Sequence, residues 1–309
     1  MASTHEERAM RRAIALSALG LGSTSPNPPV GCVVLDADGN VIGEGYHRRK
    51  GEAHAEVNAL AAAGERARGG TAVVTLEPCN HQGRTPPCRQ ALIDAGIARV
   101  VIALIDPTSR EEGGAARLKA AGVDVELDVL SDEARLVIGP WLEAFASGLP
   151  HVHWAYVVDS DARPVLDPVP DGVISRTEFD AILTSDGRLE EGVPGAHSPD
   201  EFSLPRMVGA ESAAILADLF SRGVRSLLIS GRTKLAAAIA DSDLVNRITL
   251  YFPRQPASSR PAAMAGQPLG VPAGYEVHAV AAAGPYVRLD LVRIDRDASS
   301  ATRADQTAG

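Results

Sequence analysis

The chain lacks the features of membrane-spanning, secreted and nucleic-acid-binding proteins. No stretch of the sequence approaches the ~20 consecutive apolar residues of a membrane helix, and the polar, acidic segment from Met1 to Glu7 does not resemble a signal peptide. Three cysteines in 309 residues are too few for a disulfide framework. A net charge of -9 is the opposite of what a protein that binds a nucleic-acid backbone normally carries. We therefore expect a cytoplasmic protein without a membrane or nucleic-acid partner. A small phosphorylated ligand, held by one or two cations, stays compatible with this charge.

The length and composition predict two domains. Hydrophobic residues make up 45% of the chain, which is ample for two cores, and 309 residues correspond to about two domains. Helices alternate with strands over residues 1–147, which predicts a layered α/β sheet. A second α/β unit is predicted over 148–295. The last residues, 296–309, form a polar tail that is too small to bury a core.

Apolar periodicity and turn residues place the predicted elements. The first helix is expected to begin at a capping box of Thr4 and Glu7, and Pro86 with Pro87 is expected to open another helix. Further helices are expected from near His54, around 115–121 and at 211–222. Strands are expected at 30–35, 41–46, 71–76, 100–105, 123–127, 151–158, 180–183, 226–230 and 247–252, with an edge strand at 286–294 and an irregular loop at 253–274.

A histidine, a carboxylate and two cysteines form the strongest chemical signal in the chain. His54 and Glu56 are separated by one residue and are followed by a Pro-Cys pair ending at Cys79 and by Cys88. Zinc takes nitrogen and thiolate ligands in a tetrahedron, and a catalytic site uses three protein ligands and leaves the fourth position for water. His-x-Glu followed by Pro-Cys and a second cysteine is the signature of zinc deaminases, in which the glutamate moves protons and is not a ligand. We therefore predict a Zn²⁺ site at His54, Cys79 and Cys88, with Glu56 as the catalytic acid and base.

The predicted surroundings of these residues suit a catalytic site. Each ligand segment falls where a strand meets the start of a helix, and the positive end of a helix lowers the pKa of a thiol, as ligation requires. Zinc in an open site lowers the pKa of its water toward ~7. Glu56 would then pass the water proton to a ring nitrogen and to departing ammonia. His81 is an alternative fourth ligand, and Cys32, in an apolar run, is expected to pack as a small hydrophobic residue.

Longer motifs around these residues resemble one family of zinc deaminases. The motifs are Ser25-Pro26-Asn27-Pro28-Pro29-Val30-Gly31, Gly45-Tyr46-His47, Gly51-Glu52-Ala53-His54-Ala55-Glu56, Thr75-Leu76-Glu77-Pro78-Cys79-Asn80-His81 and Gly83-Arg84-Thr85-Pro86-Pro87-Cys88. Over roughly residues 5–147 the chain is similar to the deaminase domain of the bifunctional riboflavin-biosynthesis deaminase/reductases. The eight residues between the cysteines, Asn80 to Pro87, are specific to that family, whereas cytidine and tRNA-adenosine deaminases have a short interval. The resemblance implies a cytidine-deaminase-like three-layer domain followed by a dihydrofolate-reductase-like α/β domain.

The resemblance also implies a substrate and residues that bind it. The implied substrate is a diaminopyrimidinone ribosylamino 5'-phosphate, made from GTP by ring opening, of which one ring amine is hydrolysed to a carbonyl. Asn27 matches the family's asparagine in the pyrimidine pocket. His47, His81 and Arg84 match positions along the pocket and at its phosphate end, where a guanidinium suits a phosphate. Asp106 is retained, although Thr108 stands where the family has an asparagine.

The second half departs further from the family. Ala155 stands where the family carries a lysine, and Ser230-Gly231-Arg232 replaces a Glu-Gly-Gly turn that receives phosphates. Arg188 lies where a Gly-x-Gly-Thr turn is expected. The apolar pattern of the strands is kept, so we expect a reductase-like fold without an NADPH site. Either the cofactor site has been lost by chance, or the domain is retained for dimerisation or for covering the substrate.

The sequence therefore predicts a zinc-dependent aminohydrolase that acts on a small pyrimidine nucleotide. We also expect a homo-oligomer, namely a dimer. Two enzymatic alternatives stay open: a bifunctional enzyme that binds NADPH through other residues, and a deaminase diverted to a pyrimidine-derived secondary metabolite. A zinc-stapled interaction module without activity is disfavoured by Glu56 and by the open fourth position.

Overall fold

The structure is a computed structural model that describes residues 1–80, 87–109, 112–159, 169, 172–197, 211–231, 234–254 and 272–294. The helices are α1 (Thr4–Ser17), α2 (Ala55–Ala63), α3 (Cys88–Asp94), α4 (Gly113–Ala120), α5 (Ser131–Ser147), α6 (Ser212–Ser221) and α7 (Lys234–Asp241). The strands are β1 (Gly31–Leu35), β2 (Val41–Tyr46), β3 (Thr71–Leu76), β4 (Arg99–Leu104), β5 (Asp124–Glu126), β6 (His151–Val157), β7 (Ala181–Leu183), β8 (Leu189–Glu191), β9 (Ser226–Ser230), β10 (Arg247–Pro253), β11 (Tyr275–Ala283) and β12 (Tyr286–Arg293). Among the described residues, no helix combines the length and apolar composition needed to cross a membrane.

The N-terminal half is a sheet between two layers of helices. Its described strands lie in the order β2-β1-β3-β4-β5, antiparallel from β2 to β3 and parallel from β3 to β5. Cys32 and Val34 face the layer of α2, α3 and α4, whereas Val33 faces α1 and α5. Because helices cover both faces, β1 and β4 are almost continuously apolar and buried. Cys32 is fully buried in this core, as the sequence predicts.

The C-terminal half is built on a second, larger sheet. Its described strands lie in the order β11-β12-β10-β6-β9-β7-β8. The central strands β10, β6, β9 and β7 are parallel, and antiparallel strands complete both edges. One face packs Trp154 and Leu227 against Leu216 of α6 and Ile239 of α7. The opposite face carries a smaller apolar cluster that includes Phe179 and Tyr251.

The first helix begins one residue earlier than the sequence predicts. Ser3, not Thr4, is the N-cap: its hydroxyl accepts a hydrogen bond from the Glu6 backbone N–H at 3.3 Å, and the Glu6 carboxylate accepts one from the Ser3 N–H at 2.7 Å. The sequence contains two overlapping capping boxes, Ser3 with Glu6 and Thr4 with Glu7. Glu6 also binds Arg99 at 2.6 Å, so a contact distant in sequence favours the first of them.

The strand at 286–293 is interior, which corrects the prediction of an edge strand. β12 lies between β10 and β11, and β11 forms the edge. The sequence did not reveal β11, because exposed and half-buried positions follow one another along it without an apolar face. The helices α5 and α7 and the short strand β8 are likewise absent from the prediction.

The two halves meet around the segment that precedes β1. The Ser25 hydroxyl donates to the Asp180 carboxylate at 2.6 Å, and both side chains are buried. A Cβ on Gly22 would lie 2.5 Å from the carbonyl oxygen of Thr177, so the backbones approach as closely as glycine allows. Ser25 lies two positions before Asn27, which the sequence analysis predicts to bind the substrate.

Candidate metal centre and active site

The three predicted metal ligands lie together. His54 immediately precedes α2, Cys79 follows β3, and Cys88 is the first residue of α3. The Nδ1 atom of His54 is 3.2 Å from the Cys88 sulfur and 3.8 Å from the Cys79 sulfur. All three ligand atoms lie within 4.8 Å of one another.

This donor set fits a zinc ion. Tetrahedral ligands at Zn–N of about 2.0–2.1 Å and Zn–S of about 2.3 Å stand roughly 3.5–3.8 Å apart, close to the nitrogen–sulfur distances of 3.2 and 3.8 Å. The Cys88 N–H also donates to the Cys79 sulfur at 3.2 Å. Hydrogen bonds from Cys88 and His54 lower the pKa of Cys79 to about 4. The neighbouring Cys79 sulfur and burial raise the pKa of Cys88, so a second thiolate here requires a cation.

Glu56 stands beside this cluster with its carboxyl group out of water. It is the second residue of α2 and is only 4% exposed. Burial, and then the charge of Cys79, raises the pKa of Glu56 to about 7. A carboxyl group with a pKa near neutrality both accepts and returns a proton at physiological pH, which is the property of a general acid and base.

Asn27 and His47 form a fixed pair next to the cluster. The Asn27 amide nitrogen is 3.2 Å from Nε2 of His47, and Nδ1 of His47 is 3.2 Å from the Ala53 carbonyl oxygen. Since a carbonyl only accepts, Nδ1 carries the hydrogen and Nε2 accepts from Asn27. Burial lowers the pKa of His47, which favours this neutral form. Its ring meets that of His54 edge-on, with centroids 5.1 Å apart.

Glu77 is a buried residue of the site whose role the sequence did not reveal. Its carboxylate accepts hydrogen bonds from the Ser109 hydroxyl at 2.8 Å, from the Ala115 N–H at 2.8 Å and from the Asp106 N–H at 3.3 Å. Glu77 therefore ties the loop after β4 and the start of α4 to the loop that carries Cys79. Its position directly before Pro78 and Cys79 was the sequence feature that could have indicated this role.

One cavity contains most of these groups. It has a volume of about 320 Å³. Its lining includes the predicted residues Asn27, His47, His54, Glu56, Cys79 and Asp106. Asp106 accepts from the N–H and the hydroxyl of Thr108 at 2.8 and 2.7 Å. Trp141, Phe145 and Arg225 also line the cavity and were not predicted. His81 and Arg84 lie outside the described residues.

A second cavity, of about 510 Å³, lies between the two halves. None of the predicted metal ligands lines it. The polar groups on its sheet wall are bound to one another: His153 Nε2 donates to the Thr249 hydroxyl at 2.7 Å, Thr249 donates to Asp290 at 2.7 Å, and Arg288 lies 3.0 Å from Asp290. This network connects β6, β10 and β12.

Residues that depart from the family's cofactor-binding pattern make contacts within the chain. Ala155 is fully buried, and its carbonyl accepts from the Gly231 N–H at 2.8 Å. The Trp154 indole donates to the Gly231 carbonyl at 2.8 Å. Arg188 is exposed and paired with Asp186 at 2.7 Å. Arg232 lies outside the described residues.

Comparison with known protein sequences places the N-terminal half in a family. Residues 3–104 match the family model of the cytidine and deoxycytidylate deaminase zinc-binding region. The diaminohydroxyphosphoribosylamino-pyrimidine deaminase of Buchnera aphidicola subsp. Acyrthosiphon pisum is 50% identical over 142 residues, which cover 46% of this chain and 96% of that protein. The riboflavin biosynthesis protein RibD of Escherichia coli is 47% identical over 162 residues, or 52% of this chain. The match spans only 44% of the E. coli protein's length.

Solved structures extend the likeness to the whole fold. The deaminase/reductase of Thermotoga maritima superposes with a TM-score of 0.75 at 24% identity, covering 94% of this chain and 99% of that one. RibD of Acinetobacter baumannii gives a TM-score of 0.71 at 27% identity over the same shares. The expected fold class, a deaminase-like α/β domain followed by a reductase-like one, is confirmed. With a relative matched over nearly its full length, the chain belongs to the diaminohydroxyphosphoribosylaminopyrimidine deaminase family of riboflavin biosynthesis.

Proposed function

We propose that this protein is a zinc-dependent aminohydrolase of a diaminopyrimidinone ribosylamino 5'-phosphate. The observation that carries the proposal is the cluster of His54, Cys79 and Cys88, whose ligand atoms lie within 4.8 Å of one another, with the buried Glu56 in the same cavity. The names of the sequence relatives supply the substrate class. The reaction replaces a ring C–NH₂ by C=O, consumes one water and releases one ammonia.

His54, Cys79 and Cys88 are the proposed zinc ligands. Zinc held by these residues would supply Lewis acidity that lowers the pKa of water toward neutrality. Glu56 accepts a proton from the attacking water, delivers it to the ring nitrogen and returns a proton to the departing amine. Its raised pKa suits both directions of transfer.

Asn27 and His47 are proposed to position the pyrimidine ring. The Asn27 amide is oriented by its contact with His47 at 3.2 Å, which leaves its oxygen to accept from a ring amine or N–H. Asp106 lies on the same cavity wall, where a carboxylate suits the hydroxyls of a ribose. On the family pattern alone, His81 and Arg84 are also proposed to bind the substrate.

We propose residues 1–147 as the deaminase domain, 148–295 as a reductase-like domain that does not use NADPH, and 296–309 as a tail. The packing of Ala155 and the ion pair of Arg188 support this reading of the second domain. The bifunctional alternative is favoured by one observation, the likeness to RibD of Acinetobacter baumannii over 94% of the chain. A homodimer is proposed on the family pattern alone.

A product assay tests the function. The purified chain is incubated with the GTP-derived diaminopyrimidinone ribosylamino 5'-phosphate, and ammonia release and the deaminated product are measured with and without NADPH. Glu56→Gln keeps the shape but cannot move protons, so turnover should fall by about 10²–10⁴ while zinc stays bound. Absence of ammonia release by the wild-type protein would contradict the proposal.

A further inference from the structure

Arg225 connects the reductase-like half to the deaminase cavity. It lies in the turn between α6 and β9, and it lines both the cavity that contains His54 and Glu56 and the larger cavity between the two halves. Every other described residue that lines the cavity of His54 and Glu56 belongs to residues 26–145. Among the described residues that line it, Arg225 is also the one arginine or lysine. The second half of the chain therefore contributes a cation to the active site of the first.

The backbone at Arg225 is held against the cavity wall. Its N–H and that of Ser226 each donate to the Asp180 carboxylate at 2.8 Å. The same carboxylate oxygen accepts from the Ser25 hydroxyl at 2.6 Å. Ser25 directly precedes Pro26 and Asn27, which line the cavity. The junction thus fixes the arginine relative to the proposed ring-binding residues.

Of the three guanidinium nitrogens of Arg225, Nη1 is bound to the protein, Nε is enclosed, and Nη2 is left without an acceptor among the described residues. Its Nη1 donates to the carbonyl oxygens of Phe220 at 2.8 Å and Val224 at 3.2 Å, and its carbon lies 3.9 Å from the centre of the Phe220 ring. Nε is buried without a hydrogen-bond partner. Among the described residues, no acceptor for Nη2 is found either.

Among the described residues, none of the three acidic residues that line the cavity, Glu56, Glu77 and Asp106, forms an ion pair with Arg225. Glu77 already accepts three hydrogen bonds from its own loops, and Asp106 accepts two from Thr108. Arginine donates charge-assisted hydrogen bonds to phosphate oxygens, and such bonds are strong in a partly dry site. The Nη2 group of Arg225 therefore suits an oxygen of a phosphate monoester.

We infer that Arg225 binds the 5'-phosphate of the deaminase substrate, so that the reductase-like domain completes the deaminase site. This inference rests on the proposed function. The ring lies at Glu56 and the metal ligands, and the phosphate lies at the junction of the two halves. Arg225 is a substrate-binding residue supplied by a domain whose own chemistry is not needed for the reaction.

The test compares full-length variants on two substrates. Steady-state deamination is measured on the phosphorylated pyrimidine and on the same compound after phosphatase treatment, for the wild type, Arg225→Ala, Arg225→Gln and Arg225→Lys. Glutamine keeps a donor for the carbonyls of Phe220 and Val224 without the charge, which separates binding from the structural contacts. The matched control is Arg222→Ala, since Arg222 is paired with Asp218 at 2.7 Å and lines neither cavity.

We expect KM for the phosphorylated substrate to rise about tenfold or more in the alanine and glutamine variants, as expected for lost charge-assisted hydrogen bonds. KM for the dephosphorylated compound should stay within about twofold in the same variants, lysine should restore part of the difference, and Arg222→Ala should resemble the wild type. Equal KM changes on both substrates, in Arg225→Gln with a normal melting temperature, would overturn the inference.

Ribose 5-phosphate binding, measured by calorimetry, separates this inference from the proposed function. It reports the phosphate contact without turnover. If the wild type binds ribose 5-phosphate and Arg225→Gln does not, the phosphate site is supported even where no ammonia is released. If both proteins bind it equally while the wild type deaminates its substrate, the function stands and the role of Arg225 is refuted.

Discussion

The Ser25 hydroxyl and the Asp180 carboxylate, 2.6 Å apart, join the two halves of the chain beside the cavity that contains Glu56. Asp180 is 3% exposed and also accepts from two backbone N–H groups. The Asp180 N–H in turn donates to the Ser226 hydroxyl at 3.0 Å. One buried carboxylate thus links the segment before β1 to the start of β9.

Removing Asp180 should destabilise the protein more than removing Ser25. Ser25→Ala deletes one hydrogen bond, which costs about 1 kcal/mol, whereas Asp180→Ala leaves two backbone donors without an acceptor, at about 1–3 kcal/mol each. Chemical denaturation gives both free energies of unfolding. The double variant should cost less than the sum of the two, because both changes break one network.

Ser221→Ala is the control for this pair. Its hydroxyl donates to the Asp218 carbonyl of its own helix and is exposed, so its loss should change the free energy of unfolding by no more than ~0.5 kcal/mol. Full additivity of Ser25→Ala and Asp180→Ala would show that the two residues do not act together.

The purified protein should carry about one zinc per chain. Cys79→Ser and Cys88→Ser should each lose the metal and the activity and should melt earlier, because ligation couples metal binding to local folding. Cys32→Ala is the matched control: Cys32 is buried in the core on β1, so zinc should remain. Metal content by mass spectrometry of the native proteins decides the matter, and full zinc in both serine variants would remove the ligand assignment.

The clustering of His54, Cys79 and Cys88 was predictable from the sequence because each lies in a short motif at the end of a strand or the start of a helix. The residues that the prediction missed have a different origin. Trp141 comes from α5 and Arg225 from the second half, and only tertiary packing brings them to the cavity. No pattern of neighbouring residues in the sequence indicates such a contact. The first helix shows the same limit, since two overlapping capping boxes fit the sequence and the Arg99 contact favours one of them.

The buried His153 should make the protein less stable in acid. Burial, and then the charge of Arg247, lowers the pKa of His153 well below its usual value. The unfolded chain, with a histidine pKa of about 6.5, therefore binds more protons than the folded one below that pH. The free energy of unfolding then falls as pH drops below about 6.5, by up to ~1.4 kcal/mol per pH unit, and is unaffected by this group above it.

His153→Gln isolates this contribution. Glutamine keeps a donor for the Thr249 hydroxyl, which His153 binds at 2.7 Å, but does not titrate. Denaturation at pH 7.5 and pH 5.5 should show a smaller loss of stability on acidification in the variant than in the wild type. Equal losses would mean that other groups account for the acid sensitivity.

The last prediction is that the C-terminal half does not bind NADPH. A dinucleotide requires close backbone approach at glycine turns and donors for its phosphates. Ala155 is fully buried and bonded through its carbonyl to Gly231, and Arg188 is paired with Asp186 in a segment that also carries Glu190 and Glu191. Calorimetry should detect no NADPH binding, and NADPH should not be oxidised in the presence of the deaminated product. Residues 1–147 expressed alone should keep zinc but lose solubility or oligomeric order, since the C-terminal half packs against them through Ser25 and Asp180. Micromolar NADPH affinity, or NADPH oxidation coupled to that product, would instead establish the bifunctional enzyme.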